Sequence, residues 1–173
     1  MALGKDYDNQ RDCSLARALE LVGERWTMLI VRDAFFGVRR YSDFLSHLET
    51  PRAVLADRLS NLVAAGILAK RRYSDSPVRE EYVLTDAGRA LWPVLAALGT
   101  WSARYVMDGE VPRIYAHAEC GRRLTGGSVC PSCGPVGADE VEIRPGPDAD
   151  FVREDPVSVA LREPKRLLVP IRG

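Results

Sequence analysis

The sequence predicts a mixed α+β fold, mainly α, and three observations predict it. Between residues 41 and 84 two short amphipathic helical patterns are followed by two β-leaning runs that flank a Ser- and Pro-containing turn. On either side of that unit, apolar residues recur at helical spacing, at Leu15, Ala18, Leu19 and Val22 and again at Leu91, Val94, Leu95, Leu98 and Trp101. After Met107 the composition shifts to Gly, Pro and charge, and one His and three Cys fall in two close pairs. The expected organisation is an N-terminal arm (1–12), a main domain (13–107), a small β-rich Cys/His extension (108–144) and a C-terminal tail (145–173).

Taken in order, Ser14 to Val22 reads as a first helix, and Trp26 to about Phe36 as a second, more apolar one, with Gly23 between them. Gly37 to Arg40 reads as a turn. Tyr41, Phe44, Leu45 and Leu48 mark a third helix that Ser42 is placed to cap. Thr50-Pro51 reads as an N-cap followed by Pro at the first helical position, where its missing N–H costs nothing. The fourth helix has Val54, Leu55, Leu59, Leu62 and Val63 as its apolar face, and Gly66 is its expected stop. Strands are expected at Ile67–Tyr73 and at Glu81–Leu84, joined through Ser74 to Pro77. One long helix is expected from Thr85, and short strands at Arg113–Tyr115, Glu140–Arg144 and Arg166–Ile171.

Helix, helix, strand, turn and strand in this order make a winged helix-turn-helix, a unit that places one short helix in a DNA major groove and a β-hairpin against the neighbouring backbone. The outward face of the fourth helix then offers Arg52, Ala53, Val54, Asp57 and Arg58 to bases or phosphates. Arg40, Ser42 and Thr50, near the starts of the two helices, join that set, and Arg71, Arg72 and Arg79 surround the wing turn, Arg79 nearest its tip. The competing readings are a solvated helix face and cross-strand pairing of the wing arginines with Asp75, Glu80 or Glu81. The last long helix carries more apolar surface than a small domain needs. With the first helix it makes a plausible homodimer surface, which matches the two-fold symmetry of operator half-sites.

The 24 basic and 24 acidic residues cancel, so any nucleic-acid affinity must come from local placement of charge. The N-terminal residues lack an apolar targeting segment, and nowhere do the ~18 apolar residues of a membrane span run together. A cytoplasmic protein is expected, in which four cysteines stay reduced and serve metal binding or redox sensing rather than disulfides. His117-x2-Cys120, nine intervening residues, then Cys130-x2-Cys133 is the pattern of a Cys3His zinc-ribbon-like site. Its Gly-rich surroundings have little apolar core to fold without an ion, so structural Zn2+ is expected. A redox-active Cys130/Cys133 pair and three unliganded thiols are the alternatives. Cys13 sits where the first helix begins, with Arg11 and Arg17 nearby to favour a thiolate and Asp12 to oppose it.

With His47 expected at the surface and only one other histidine, hydrolytic machinery has little to work with, and no Gly-rich phosphate loop appears. Cys13 to Trp26 including Gly23-x2-Trp26, then Arg40-Tyr41-Ser-Asp-Phe44, Leu55-Ala-Asp-Arg-Leu59, Ala65-Gly-Ile67 and Glu81-Tyr-Val-Leu-Thr85 together resemble the HxlR family of bacterial regulators over about Cys13 to Tyr105. The resemblance implies a homodimeric winged-helix transcription factor whose first and last helices make the dimer; from the residues, no enzyme is expected. It also implies, for the cysteine that Cys13 matches, a sensor of small electrophiles or disulfide stress in several members. It implies nothing about the extension. A winged-helix protein-docking module and a thiol–disulfide protein using Cys130/Cys133 are the rival readings.

Overall fold

The computed structural model describes residue 10 and residues 12–171. The N-terminal arm, apart from Gln10 and Asp12, and Arg11 with it, lie outside the described residues. Helix α1 (Ser14–Val22) ends at Gly23, and α2 (Thr27–Phe36) follows after Trp26, whose φ of 78° turns the chain sharply. Apolar on nearly every side, α2 is the central helix, and Ile30, Val31, Phe35 and Phe36 are all buried. Helices α3 (Tyr41–Leu48) and α4 (Arg52–Ala64) pack on it through Phe44, Leu48, Leu55, Leu59 and Leu62.

Gly66 stops α4 as expected: at φ +69° it lets its own N–H reach the Val63 carbonyl (3.0 Å) and the Ile67 N–H reach that of Leu62 (3.0 Å). The two expected caps differ. Residue 51 itself is the N-cap of α4, because Pro51 holds an extended ψ of 136°. Thr50 therefore falls one residue outside the helix, with its side chain buried and its hydroxyl without a hydrogen-bond partner among the described residues. Ser42 lies inside α3 rather than before it; its hydroxyl donates to Asp43 Oδ1 (3.0 Å), and Arg40 occupies the cap position.

The wing is longer than its composition implies. Strands β1 (Leu68–Asp75) and β2 (Val78–Leu84) pair antiparallel from Leu68 opposite Leu84 out to Asp75 opposite Val78, with a bulge between Arg72 and Ser74, so the loop is Ser76-Pro77 alone. Thr85 caps the next helix by accepting the Gly88 N–H (3.1 Å). That helix, expected to be continuous, is broken into α5 (Asp86–Arg89) and α6 (Trp92–Tyr105). Pro93 cannot donate to the Arg89 carbonyl and its ring would strike it, so the chain tightens through Leu91, whose N–H turns to the Gly88 carbonyl (3.1 Å).

Beyond α6 a three-stranded antiparallel sheet has the order β3 (Arg113–His117), β6 (Val141–Pro145), β7 (Lys165–Arg166), and a minimal hairpin pairs β4 (Val129–Cys130) with β5 (Gly134–Pro135). The expected third strand is confined to β7. Leu167 N–H still donates to the Val141 carbonyl of β6 (2.9 Å), but from Leu168 the chain bonds to the end of α2: Leu168 N–H donates to the Phe35 carbonyl (2.7 Å) and Ile171 N–H to that of Gly37 (3.0 Å). Gly37 is required there, since at φ +95° its place for a Cβ lies 1.9 Å from the Val169 carbonyl oxygen. The short helix α7 (Pro156–Ala160), capped by Asp155, packs on α3. One apolar cluster runs from α2 to Leu167 and Ile171.

Trp92 joins the two halves. It is 1 % exposed, lies 5.4 Å from the Phe35 ring and 5.0 Å from that of Tyr115, and donates from Nε1 to Ser128 Oγ (2.9 Å). Trp92→Ala should lower unfolding free energy by about 3–5 kcal/mol in urea titrations. Trp92→Phe, which keeps most of the packing and removes the N–H donor, should cost about 1–3 kcal/mol.

Candidate nucleic-acid interface and metal centre

The helix α4 presents Arg52, Ala53, Ala56 and Asp57 outward, with Val54 and Arg58 half-buried. Its angle to α3 is held by the Tyr41 hydroxyl, which donates to the Arg52 carbonyl (3.0 Å). Arg58 is committed within the domain, to Glu24 (3.0 Å) across to the loop after α1 and to Asp57 (3.4 Å). On the wing, Arg71 pairs with Glu81, which also lies 3.5 Å from Arg39, while Arg72 reaches Asp75 at 3.4 Å and Lys70 reaches Glu80 at 3.1 Å. Cross-strand pairing thus accounts for Arg71 and Lys70, and a contact within β1 for Arg72. Such exposed pairs are weak enough to be exchanged for phosphate.

Arg52 and Arg79 differ from these. Both are exposed, and neither makes an ion pair among the described residues. They stand at the first position of α4 and on the wing beside its tip, where Arg79 faces Ser74 across the hairpin. Arg40 stacks its guanidinium over Tyr73 (5.3 Å), which ties the start of α3 to the wing, and Ser42 is exposed beside it. Thr50 is buried and presents no surface to a ligand.

Two positions were unreadable from pattern. His47 is not a free surface residue: its Nδ1 lies 2.7 Å from Oδ2 of Asp33, which is fully buried and also accepts from Arg32 at 2.7 and 2.9 Å. Arg39 donates to the Leu168 carbonyl (3.3 Å), pinning the C-terminal segment beside the wing. Both partners are remote in sequence, and no local signal announces them.

Cys13 is half-buried at the N-cap of α1, where its carbonyl accepts the Arg17 N–H (3.1 Å). The Arg17 side chain is engaged with Glu20. Around it α1 leaves Leu15, Leu19 and Leu21 exposed, and α6 leaves Val94, Leu98, Trp101 and Tyr105 exposed.

The second cluster comes together as its spacing implies. His117, Cys120, Cys130 and Cys133 place one ligand atom each within 4.8 Å of one another. His117 Nδ1 lies 3.2 Å from Cys120 Sγ, which lies 3.5 Å from Cys130 Sγ and 3.7 Å from Cys133 Sγ. Four ligands at about 2.0–2.3 Å around a tetrahedral ion stand roughly 3.5–3.8 Å apart, the range in which both Cys120 sulfur separations fall, and one imidazole with three thiols is a donor set of the zinc type. Each pair is followed by a glycine in the left-handed region, Gly121 at φ +71° and Gly134 at φ +87°, which lets the chain fold back over its own ligands. Burial would raise the Cys130 thiol, but the backbone N–H groups of Ser132 and Cys133 and its sulfur neighbours outweigh it and bring its pKa down to about 6. Cys133 is pushed up to about 11, chiefly by its hydrogen bond to Cys120, then by that to Cys130. The low-pKa sulfur is the buried one, which is the reverse of what thiol–disulfide exchange requires.

Residues 21–110 match the family model described as HxlR-like helix-turn-helix. Over 136 residues the chain is 44 % identical to Rv3095 of Mycobacterium tuberculosis, named as an uncharacterised HTH-type transcriptional regulator, covering 78 % of this chain and 86 % of that one. It is 33 % identical to the similarly named YvaP of Bacillus subtilis over 52 % of this chain and 84 % of the other. Among solved structures it resembles PA1607, described as a candidate transcription factor, with 33 % identity and a TM-score of 0.61 over 84 % of this chain and 98 % of that one. It also resembles the reduced transcriptional regulator YodB of B. subtilis, with 27 % identity and a TM-score of 0.50 over 57 % and 98 % of the two chains. For the redox regulator HypR in its reduced form the values are 25 % identity and 0.50, over 56 % of this chain and 98 % of that one.

Proposed function

The chain belongs to the HxlR-like helix-turn-helix family of transcriptional regulators, and from that premise we propose that it is a homodimeric repressor of a pseudo-palindromic operator. The observation that carries this reading is the pair of exposed guanidiniums at Arg52 and Arg79, one at the start of α4 and one at the wing, with no ion pair among the described residues. On this face Arg71 and Arg72 of the wing are paired with carboxylates, while Arg52 and Arg79 stand at the two places where a duplex would be met. Arg52 enters the major groove with the N-terminus of α4, beside Ala53, Val54 and Asp57; Arg79 holds phosphate or reaches the minor groove. Arg40, Ser42, Arg71 and Arg72 supply phosphate contacts at the edges of the same face, and Arg58 supports α4 from within.

The exposed apolar residues of α1 and α6 make the two-fold interface. Cys13, at the end of α1, is then placed to change half-site spacing when it is modified by an oxidant or a small electrophile. Two Cys13 thiols joined across the dimer would give up two electrons and two protons to the oxidant. The likeness to HypR, a redox regulator, supports that reading. The four-ligand cluster holds structural Zn2+, which closes the Gly-rich extension around β3 and the β4–β5 hairpin. Among the described residues no helix is long and apolar enough to cross a membrane.

Fluorescence-anisotropy titration of labelled DNA from the gene's own upstream region tests the reading. Salt-sensitive binding with a dissociation constant of about 10 nM or tighter is expected. Arg79→Ala should weaken all sequences alike and reduce the salt slope by ~1, whereas Arg52→Ala should cost about 1–3 kcal/mol and relax specificity. Diamide should abolish binding in wild type and not in Cys13→Ser; equal loss in both would remove Cys13 from the switch. No sequence-specific binding would favour a protein-docking module instead.

Elemental analysis of protein purified without chelator should find one zinc per chain, and Cys120→Ser or Cys133→Ser should release it. Zinc retention should fall as pH drops, because each proton taken up by a ligating thiol competes with the ion.

A further inference from the structure

A cavity of about 690 Å3 lies between the C-terminal half of α6, the end of α2 and the extension. That is within the range of small-molecule sites, roughly 300–1,000 Å3. Phe36, Met107, Leu124 and Leu161 give it apolar walls. Arg32, Arg113 and Arg123 line it together with His47, and no carboxylate does.

The surrounding charges single out one of these groups. Arg32 and His47 share Asp33, which lies behind them and is fully buried. Arg123 is exposed to water. Arg113 is half-buried, makes no ion pair among the described residues, and has one acceptor in the Leu161 carbonyl at 3.4 Å. Desolvation lowers its pKa, with the like charge of Arg32 adding to that effect and Tyr115 opposing it. Beside it Tyr115 also lines the cavity, and burial raises the pKa of its phenol, which keeps the O–H a donor. No hydrogen bond occupies that hydroxyl among the described residues. A partly desolvated guanidinium, a neutral phenol and apolar walls together complement a planar carboxylate on an apolar body.

We propose that this cavity binds a small apolar carboxylate, held by Arg113 and Tyr115, and that this ligand is the effector of the regulator. The effector role rests on the regulator reading given above; the binding does not. The site is wired to the rest of the molecule. Thr125, Gly126 and Gly127, from the loop between the two Cys/His pairs, form part of its wall. Gly127 packs so closely on α6 that an added Cβ would stand 3.0 Å from the Pro93 oxygen and 3.2 Å from Ala97 Cβ. Ala96, Gly99 and Ala103 of α6 face the cavity, while Val94, Leu98, Trp101 and Tyr105 are the exposed residues of the same helix. A ligand that shifts α6 therefore shifts the surface assigned to the dimer.

Titration calorimetry of the full-length protein with benzoate, naphthalene-2-carboxylate and decanoate, beside naphthalene-2-carboxamide, tests the site without DNA. Saturable binding of one carboxylate per chain is expected, with the carboxamide and the Arg113→Gln variant each weaker by about ten- to a hundred-fold. Gly99→Phe should also remove binding: Gly99 lines the cavity and an added Cβ there meets nothing within 4 Å, so the variant fills space without a clash. Circular dichroism melting of both variants should match wild type. No carboxylate binding, equal affinity for the carboxamide, or unchanged affinity in Arg113→Gln or in Gly99→Phe would each overturn the proposal. A carboxylate that binds but leaves operator affinity unchanged overturns the effector role. A protein that binds the carboxylate but no operator keeps the site and sinks the regulator reading.

Discussion

The fold depends on Trp92. Its ring lies between Phe35 of the central helix and Tyr115 of the extension sheet, and its N–H ends on Ser128, whose hydroxyl donates on to the Val136 carbonyl (2.6 Å). One side chain thus fastens α6 to α2, to β3 and to the loop between the two Cys/His pairs. A buried aromatic removes a large apolar area from water and, through its polar edge, demands one specific partner. That demand explains why an extension with so few apolar residues packs in a definite place: it is built onto a helix of the winged-helix domain.

Electrostatics are arranged by the same economy. A chain with equal numbers of acids and bases cannot attract DNA by net charge, so the surface must separate compensated from uncompensated cations. Arg58, Arg71 and Arg72 are paired within the fold and Arg40 stacks on Tyr73, whereas Arg52 and Arg79 have no carboxylate among the described residues. The unpaired residues keep a directed field at two separated points, which suits recognition of a duplex better than a diffuse basic patch would. Arg113 in the cavity repeats the arrangement in the interior, where desolvation makes an uncompensated cation more selective for its anion.

The C-terminal segment shows how a chain without regular structure is ordered by backbone donors. Leu168 and Ile171 bond to carbonyls at the end of α2 that the helix itself leaves unsatisfied, and Leu167 and Ile171 complete the core beneath them. Gly37 makes this approach possible because a side chain there would collide with Val169. The extension, the cavity and the wing are in this way all referred back to one helix, α2.

Local chemistry made much of this legible in the sequence. The helices α1 to α4, the Gly66 stop, the hairpin and the convergence of His117, Cys120, Cys130 and Cys133 all follow from periodicity, turn composition and ligand spacing, which act over a few residues. The misreadings were also local: Thr50 and Ser42 have the composition of caps, but Pro51 took the cap position of α4 and Arg40 that of α3, and burial rather than polarity set the fate of Thr50. What pattern could not supply was any partner chosen across the fold. That His47 binds Asp33, that Arg39 holds Leu168, that Arg71 is paired and Arg79 is not, and that Arg113 faces an apolar cavity depend on packing between segments up to 129 residues apart. By itself the sequence determined the α+β class, the winged helix-turn-helix and the convergence of one His and three Cys, because each rests on short-range geometry. Only the tertiary structure decided which charges stay free to meet a ligand, because a charge is compensated or left exposed by neighbours that the linear order does not reveal.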